Sequence, residues 1–192
     1  MSVEFYNKNA KIFFEETLKA DMDYLYRKFL GNLSVKEGEI LDLGCGSGRD
    51  SKFFKDLGFK ILPLDLSEEL AKKASEYLGQ EVVIQDMREL DYEDRFIGVW
   101  ACASILHLKL KDIEIILDKI FKSLKKDGVF YASFKYGEND YIKDDRYFTC
   151  FTEERFFEYF PKYKNNYVEI FKTFDVRKGR ENEKWFNIIF KK

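Results

Sequence analysis

The stretch ILDLGCGSGRD at residues 40–50 decides the fold of this chain. It begins with an apolar run, continues with glycines at alternate positions and ends with a charged pair. An apolar run of this length is typical of a buried strand. Glycine has no side chain to block a close approach, so the turn after this strand can bring backbone near a ligand.

The glycine spacing argues against a phosphate ligand. A dinucleotide-binding turn requires a third glycine at position 49, where this chain has Arg49. A loop that cradles the phosphates of a nucleoside triphosphate ends in Gly-Lys-Ser/Thr, which is absent here. The turn therefore favours a ligand that presents no phosphate to it.

Composition favours a globular chain without a membrane segment. The 192 residues include 20 Phe and 12 Tyr, and the formal net charge of −2 argues against broad electrostatic capture of nucleic acid. Cys45, Cys102 and Cys150 are too few and too scattered for a disulfide framework or a zinc site. We expect a reducing, cytoplasmic setting, no metal, no signal segment and no membrane partner.

Strand-like and helix-like blocks alternate along the chain. The pattern predicts one amphipathic helix over residues 10–30, and a helix that Ser67 caps and Gly79 closes. Two final strands, near residues 167–177 and 184–191, are predicted to form a hairpin. This alternation predicts an α/β fold with a mostly parallel sheet covered by helices on both faces. In such sheets the ligand lies beyond the carboxyl ends of the strands.

Two carboxylates follow the second and third predicted strands. Asp65 is placed to accept hydrogen bonds from both hydroxyls of a ribose. Asp86 is placed to accept from an exocyclic adenine amine, and Leu66 and Met87 could enclose the ring between them. The glycine turn therefore faces an adenosine that carries no phosphate.

Four motifs in this order resemble those of class I S-adenosylmethionine-dependent methyltransferases: EILDLGCGSG, LPLDLS, VIQDM and VWACASILHL. The resemblance covers about residues 35–135. It implies a Rossmann-like, seven-stranded sheet of order 3-2-1-4-5-7-6 with strand 7 antiparallel, and S-adenosylmethionine as cofactor. GCGSGRDS and the HL after strand four look most similar to the small bacterial, tellurite-resistance-type subgroup.

We expect one domain over residues 1–192. Its parts are an N-terminal helical lid at 1–34, a cofactor-binding core at 35–135, and a substrate-side connection with the C-terminal hairpin at 136–192. The resemblance implies a cofactor site made of Tyr6, Asp42, Gly44, Cys45, Gly46, Gly48, Arg49, Asp65, Leu66, Gln85, Asp86, Met87 and Ala103.

Several of these residues have an alternative interpretation. Asp42 reaches the cofactor ammonium through water, or it only stabilises the turn. Arg49 pairs with the cofactor carboxylate as a bidentate donor, or it is a solvated arginine. Tyr6 closes over the cofactor, or it packs under the first helix. Met87 stacks on the adenine, or it belongs to the core.

The acceptor side is defined less sharply. His107, the single histidine, is a general base for the nucleophile or a histidine that shapes its loop. Cationic side chains beside aromatic ones would suit an anionic or planar acceptor, and a solvated mixture of charges is the alternative. The candidate acceptor residues are Ser104, His107, Lys135, Tyr136, Arg146 and Arg177.

These observations predict methyl transfer to a small-molecule acceptor by direct in-line displacement, with S-adenosylhomocysteine as product. The Asn/Asp-Pro-Pro-Tyr/Phe motif of amine-methylating nucleic-acid enzymes and the Pro-Cys nucleophile of pyrimidine C5 methylation are both absent. Three alternatives stay open: a nucleic-acid or protein methyltransferase that acts with a partner, a non-catalytic S-adenosylmethionine-binding protein, and a non-methylating enzyme with the same cofactor fold. The oligomeric state also stays open.

Overall fold

The computed structural model describes residues 2–192 and contains helices and strands in alternation. The helices are α1 (Ser2–Leu18), α2 (Asp23–Asn32), α3 (Arg49–Asp56), α4 (Glu68–Leu78), α5 (Leu110–Ser123) and α6 (Glu153–Tyr159). The strands are β1 (Glu39–Leu43), β2 (Lys60–Asp65), β3 (Val83–Ile84), β4 (Phe96–Ala101), β5 (Leu124–Tyr136), β6 (Tyr141–Lys143), β7 (Arg146–Phe148), β8 (Cys150–Phe151), β9 (Tyr167–Phe174) and β10 (Lys184–Lys191).

The main sheet has the order β3-β2-β1-β4-β5-β10-β9, which confirms the predicted order 3-2-1-4-5-7-6. The strands from β3 to β5 are parallel, and β10 runs antiparallel to both of its neighbours. One strand was not predicted: β8 pairs in parallel with the end of β5, through Lys135 and Tyr136. The sheet therefore has eight strands rather than seven.

Apolar side chains fill both faces of the sheet. One buried cluster joins α5 and α6 to the sheet, and it contains Phe130, Phe134, Phe156 and Phe190. A second cluster contains Phe29 of α2, Phe54 of α3 and Trp100 of β4. Residues 96–101 of β4 are all buried because this strand lies in the middle of the sheet.

The predicted single helix over residues 10–30 is wrong, because the structure has two helices there, α1 and α2. The break has a local cause. The Thr17 hydroxyl donates to the Phe13 carbonyl at 2.7 Å, and the Asp21 carboxylate accepts from the Asp23 backbone N–H at 3.0 Å. Side chains of these types compete with helical hydrogen bonds and favour helix ends. The helix capped by Ser67 and closed by Gly79 is confirmed as α4.

Strands β6 and β7 form a separate two-stranded hairpin. Its turn residues, Asp144 and Asp145, both have positive φ, at 50° and 58°. A two-residue hairpin turn with two left-handed residues matches the natural twist of the strands, and aspartate tolerates this conformation better than most residues. Within residues 2–192, none of the helices has the length and apolar character needed to cross a membrane.

Candidate functional site

A cavity of about 1070 Å³ lies at the carboxyl ends of β1, β2 and β4. Helix α1 and the β6–β7 hairpin contribute to its walls. It brings together most of the residues predicted from the sequence, namely Tyr6, Gly44, Cys45, Gly46, Arg49, Asp65, Leu66, Asp86, Met87, Ala103, Ser104, His107, Lys135, Tyr136, Arg146 and Arg177. Three predicted cofactor residues do not line it: Asp42, Gly48 and Gln85.

The turn after β1 is held against β2 by its own backbone. The N–H groups of Gly44 and Cys45 both donate to the Leu64 carbonyl, at 2.8 and 2.9 Å. Gly44 has a φ of 79°, and a Cβ there would lie 2.5 Å from Cβ of Ser104. The turn therefore leaves a concave surface of backbone that any side chain at position 44 would fill.

Asp65, the last residue of β2, connects the turn after β1 to the turn after β2 through its carboxylate. One carboxylate oxygen accepts from the Gly46 N–H at 2.8 Å, and the other accepts from the Ser67 N–H at 2.8 Å. Burial raises the pKa of Asp65, and these backbone donors oppose the shift. A carboxylate offers about four acceptor sites, so both oxygens can still accept a ribose hydroxyl.

The adenine side of the predicted site lies after β3. Asp86 accepts from the backbone N–H of Arg88 at 2.9 Å and pairs with its guanidinium. Arg88 holds the pKa of Asp86 below its usual range. Leu66 and Met87 line the cavity, and Met87 also packs against the core, so the two interpretations of this side chain are compatible. The Gln85 side chain donates to the Glu89 carbonyl at 3.1 Å.

Arg49 is bonded to its neighbour in the sequence. Its Nε and Nη2 donate to the two carboxylate oxygens of Asp50, at 2.6 and 2.8 Å. Asp50 also accepts from the Tyr26 hydroxyl and from Nε1 of Trp100. Burial alone would raise the pKa of Asp50, but these donors, Arg49 first, hold it below its usual range. Of the five N–H donors of Arg49, one on Nη1 and one on Nη2 remain for the predicted bond to a cofactor carboxylate. Nη1 also donates to the Thr17 carbonyl at 3.3 Å.

Asp42 lies beneath the turn, 2% exposed, and accepts from the Ser51 hydroxyl at 2.6 Å. Burial raises its pKa to about 8, and the charge of Asp50 adds to the shift. Of the two interpretations of Asp42, this geometry supports the local acceptor that stabilises the turn.

Helix α1 covers the cavity and is bonded to its opposite wall. The Tyr6 hydroxyl lies 2.8 Å from Nε2 of His107, and Nδ1 of His107 lies 2.8 Å from the Tyr147 carbonyl of β7. On the same helix, Asn7 accepts from the Ser67 hydroxyl at 2.6 Å. Closure over the cofactor was one of the two interpretations of Tyr6. The partners of Tyr6 and Asn7 were not predicted, because they are far away along the chain.

The protonation of His107 follows from its two bonds. A carbonyl only accepts, so Nδ1 must carry the proton that faces Tyr147. Nε2 then carries the lone pair, and Tyr6 donates to it. Burial lowers the pKa of His107 to about 4, so the ring is neutral at pH 7. As long as α1 is in place, the lone pair that a general base needs is bonded to Tyr6.

The segment between β4 and His107 shapes the cavity wall. Ala103 has a φ of 53°, which is uncommon for a residue other than glycine, and its N–H donates to the Ser133 hydroxyl at 2.8 Å. The hydroxyl oxygen of Ser104 is buried without a hydrogen-bond partner among the described residues. Strain and an unsatisfied polar atom at one wall are features of a ligand site.

The predicted acceptor cations Lys135 and Arg177 are already paired. Lys135 contacts Glu183 and lies 3.7 Å from the Asp175 carboxylate, and its ammonium lies over the Trp185 ring. Arg177 donates from Nε and Nη2 to Asp175, at 2.9 and 2.6 Å. This cluster of two cations and two anions is locally neutral. Tyr136, at the end of β5, accepts from the Lys172 ammonium at 3.0 Å.

Arg146 contacts the lid. Its guanidinium carbon lies 3.8 Å from the centre of the Phe5 ring, and its Nη2 lies 3.2 Å from the Asp144 carboxylate. The sequence placed Arg146 in the substrate-side connection, and the structure shows this part of the connection as the hairpin β6–β7.

Comparison with known proteins identifies the matching segment. Residues 40–128 match the sequence profile of a protein family described as a methyltransferase domain. One relative is YqeM of Bacillus subtilis (strain 168), which is named a putative methyltransferase. It is 34% identical to this chain over 114 residues. The match covers 54% of this chain and 46% of YqeM. The malonyl-(acyl-carrier protein) O-methyltransferase of Hamiltonella defensa is 31% identical over 52% of this chain and 38% of its own length. The chain thus spans about half the length of the curated relatives it matches or less.

Solved structures share the fold over more of the chain. The 1,6-didemethyltoxoflavin-N1-methyltransferase of Burkholderia thailandensis, crystallised with 1,6-didemethyltoxoflavin and S-adenosylhomocysteine, superposes with a TM-score of 0.77. It is 22% identical, and the match covers 100% of this chain and 85% of that one. TehB of Haemophilus influenzae has a TM-score of 0.66 at 17% identity, over 82% of this chain and 58% of TehB. The tellurite-resistance-type subgroup stays a prediction.

The fold, the glycine turn with its two following carboxylates, and the matched segment agree with one another. Residues 40–128, a little under half of the chain, thus match the methyltransferase-domain family, and the chain shares its fold with solved methyltransferases.

Proposed function

We propose that this chain transfers a methyl group from S-adenosylmethionine to a small-molecule acceptor by direct displacement, with S-adenosylhomocysteine as product. One relationship carries the proposal: the Gly46 N–H donates to Asp65 at the floor of a cavity that α1 covers. This bond places the bare backbone of the turn beside a carboxylate that retains free acceptor sites. Such a pair suits a ligand with both an amino-acid part and a ribose.

The residues present fit this cofactor. The concave backbone at Gly44, which a Cβ would fill, would receive the methionine part. Asp65 would accept from the ribose hydroxyls, and Leu66 and Met87 would enclose the adenine, with Asp86 accepting from its amine. The unpartnered hydroxyl of Ser104 lies in the wall beside Gly44, where a ligand could satisfy it.

When bound, S-adenosylmethionine supplies a methyl group that its sulfonium makes electrophilic. The chain's own task is to hold the acceptor against this group and to exclude water. Helix α1 limits the access of water, because Tyr6 and Asn7 bond it to both sides of the cavity. His107 orients Tyr6 and the hairpin through its two ring nitrogens, so we assign it a positioning role rather than that of a base.

Two observations favour a small acceptor. Helix α1 and strand β7 contact each other beside the cavity, which limits the size of a molecule that fits there. The structural neighbour from Burkholderia thailandensis was crystallised with such a molecule. We also propose a cytoplasmic setting, in which Cys45, Cys102 and Cys150 stay reduced, as they are in the structure.

A screen with methyl-labelled S-adenosylmethionine tests this function. Purified protein is incubated with metabolite, RNA and protein fractions kept separate, beside an Asp65→Asn variant as a control for the cofactor site. We expect label in the metabolite fraction, and much less of it with the variant. Label in RNA or protein would support the alternative methyltransferases. Cofactor binding without transfer to any fraction would support a non-catalytic binding protein.

A further inference from the structure

Arg146 is a buried cation whose hydrogen bonds are incomplete. Its side chain is 11% exposed and lines the cavity. Its Nε is buried and has no hydrogen-bond partner among residues 2–192. A buried donor without a partner is destabilising, and more so when it is charged. Such groups are few in native structures, and a bound ion or a role in catalysis is among the reasons for retaining one.

The charge of Arg146 is also weakly neutralised. Its contact with Asp144 is 3.2 Å long, and the Asp144 side chain is 56% exposed, so water screens this pair. Arg177, in the same cavity, donates two short hydrogen bonds to an Asp175 side chain that is 3% exposed. Arg146 therefore adds positive potential to a cavity in which Lys135 and Arg177 are already paired with carboxylates.

Aromatic rings surround this guanidinium. It lies 3.8 Å from the Phe5 ring and 5.2 Å from the Phe148 ring. Phe148 stacks on Tyr141 at 4.8 Å, and its edge meets the His107 ring at 4.8 Å. A flat apolar body fits beside such rings better than a flexible chain does, because stacked arrangements favour planar partners.

We propose that the acceptor is a planar molecule with an anionic group and that Arg146 is the residue that selects it. This inference rests on the proposed methyl transfer. The Nε–H and the Nη2 share one edge of the guanidinium, and an anion can bind both in a side-on, bidentate manner. The anion would take the place of the exposed Asp144 carboxylate, whose contact with Arg146 is long. It would also accept a hydrogen bond from the unpartnered Nε. Since Phe5 of α1 covers this group, the acceptor enters before the lid is in place.

The alternative is that Arg146 has a purely structural role and only joins the hairpin to the Phe5 ring. Such a bridge would affect the melting temperature and the binding of every ligand equally. It would not distinguish an acid from the amide of the same shape. The ratio of the two affinities is therefore the informative quantity.

The experiment uses the full chain saturated with S-adenosylhomocysteine. Calorimetry measures the binding of two matched probe pairs: 4-hydroxybenzoate with 4-hydroxybenzamide, and quinoline-2-carboxylate with quinoline-2-carboxamide. The variants are Arg146→Gln and Arg146→Lys. The first removes both the charge and the paired N–H donors of the guanidinium, and the second keeps the charge alone. Arg27→Gln is the matched control, since it removes an exposed guanidinium on α2, outside the cavity.

We expect at least one acid to bind the wild-type protein about tenfold or more tightly than its amide. Arg146→Gln should abolish this preference, Arg146→Lys should keep part of it, and Arg27→Gln should keep it in full. The proposal is wrong if no acid is preferred over its amide, or if Arg146→Gln retains the preference. Failure of S-adenosylhomocysteine itself to bind would instead contradict the proposed function.

Discussion

The Tyr6 hydroxyl donates to Nε2 of His107 across 2.8 Å, and this bond joins the N-terminal helix to the loop after β4. The partners are 101 residues apart in the sequence. His107 in turn bonds to Tyr147 of the hairpin, so three elements around the cavity meet at one imidazole ring. The closure of the site thus depends on the neutral form of this ring, with its proton on Nδ1.

Tyr6→Phe tests the closure by α1. The substitution removes the hydroxyl and keeps the ring, so we expect faster hydrogen exchange in residues 2–18 and about fivefold faster release of S-adenosylhomocysteine, as the loss of one hydrogen bond predicts. Tyr24→Phe is the control, since Tyr24 is 51% exposed on α2. Equal release rates for wild type and Tyr6→Phe would exclude a lid role for this bond.

The lowered pKa of His107 makes a prediction about acid stability. Its folded value of about 4 lies below the usual 6.5, so the neutral ring contributes stability above pH 6.5 that is lost as the pH falls toward 4. The loss should approach about 3 kcal/mol. His107→Gln keeps a donor and an acceptor without titrating, so urea denaturation at pH 7 and pH 4.5 should show a smaller loss for it. Identical losses in both proteins would refute the shift.

The activity profile gives a separate test of His107. A neutral positioning ring predicts that kcat/KM shows no ionisation near pH 6.5. A general base with an ordinary pKa would produce a rise through that pH. Once an acceptor is known, the pH profile of His107→Gln should have the shape of the wild-type profile, with a lower plateau.

The raised pKa of Asp42 predicts a contribution to stability that decreases as the pH rises, which is opposite to the prediction for His107. The folded pKa of Asp42, about 8, lies above the usual value, so its contribution is fully present below about pH 4 and is lost as the pH rises through 8. Asp42→Asn cannot ionise. We expect its stability relative to wild type to improve by at least about 1 kcal/mol between pH 5 and pH 8.5. A relative stability that is the same at both pH values would show that Asp42 is ionised throughout.

Gly44→Ala and Gly79→Ala separate crowding from backbone strain. Both glycines have positive φ, but a Cβ at Gly79 meets open space, whereas one at Gly44 would lie 2.5 Å from Ser104. We expect about 1 kcal/mol of destabilisation for Gly79→Ala and a further 1–3 kcal/mol for Gly44→Ala. Denaturation curves measure both. Equal losses would mean that Ser104 moves aside without cost.

The sequence predicted the parts of this molecule that depend on local pattern. The alternation of strand and helix, together with the family resemblance, gave the sheet order, and the glycines with Asp65 located the cavity. The helix break at Asp21 and the strand β8 were missed, because each depends on single side-chain or edge contacts. The hairpin β6–β7 was missed because its Asp-Asp turn lacks the glycine that usually marks a two-residue turn.

Side-chain partners were the least predictable feature. Arg49 was expected to reach the cofactor or to be solvated. Asp50 is adjacent and buried, and the two charges pair because neither can be left alone in the interior. The bonds of Tyr6 to His107 and of Asn7 to Ser67 join segments far apart in the sequence, and no local pattern records them. The assignments of individual cofactor and acceptor residues stay predictions.

Calorimetric titration with S-adenosylmethionine tests the central claim most directly, using wild type and Asp65→Asn. Asparagine keeps one acceptor oxygen but loses the charge that strengthens bonds from ribose hydroxyls. We predict saturable binding to the wild type, a higher melting temperature in the complex, and about tenfold or greater weakening by Asp65→Asn. Folded wild-type protein that does not bind S-adenosylmethionine, or an Asp65→Asn variant that binds with unchanged affinity, would contradict the account.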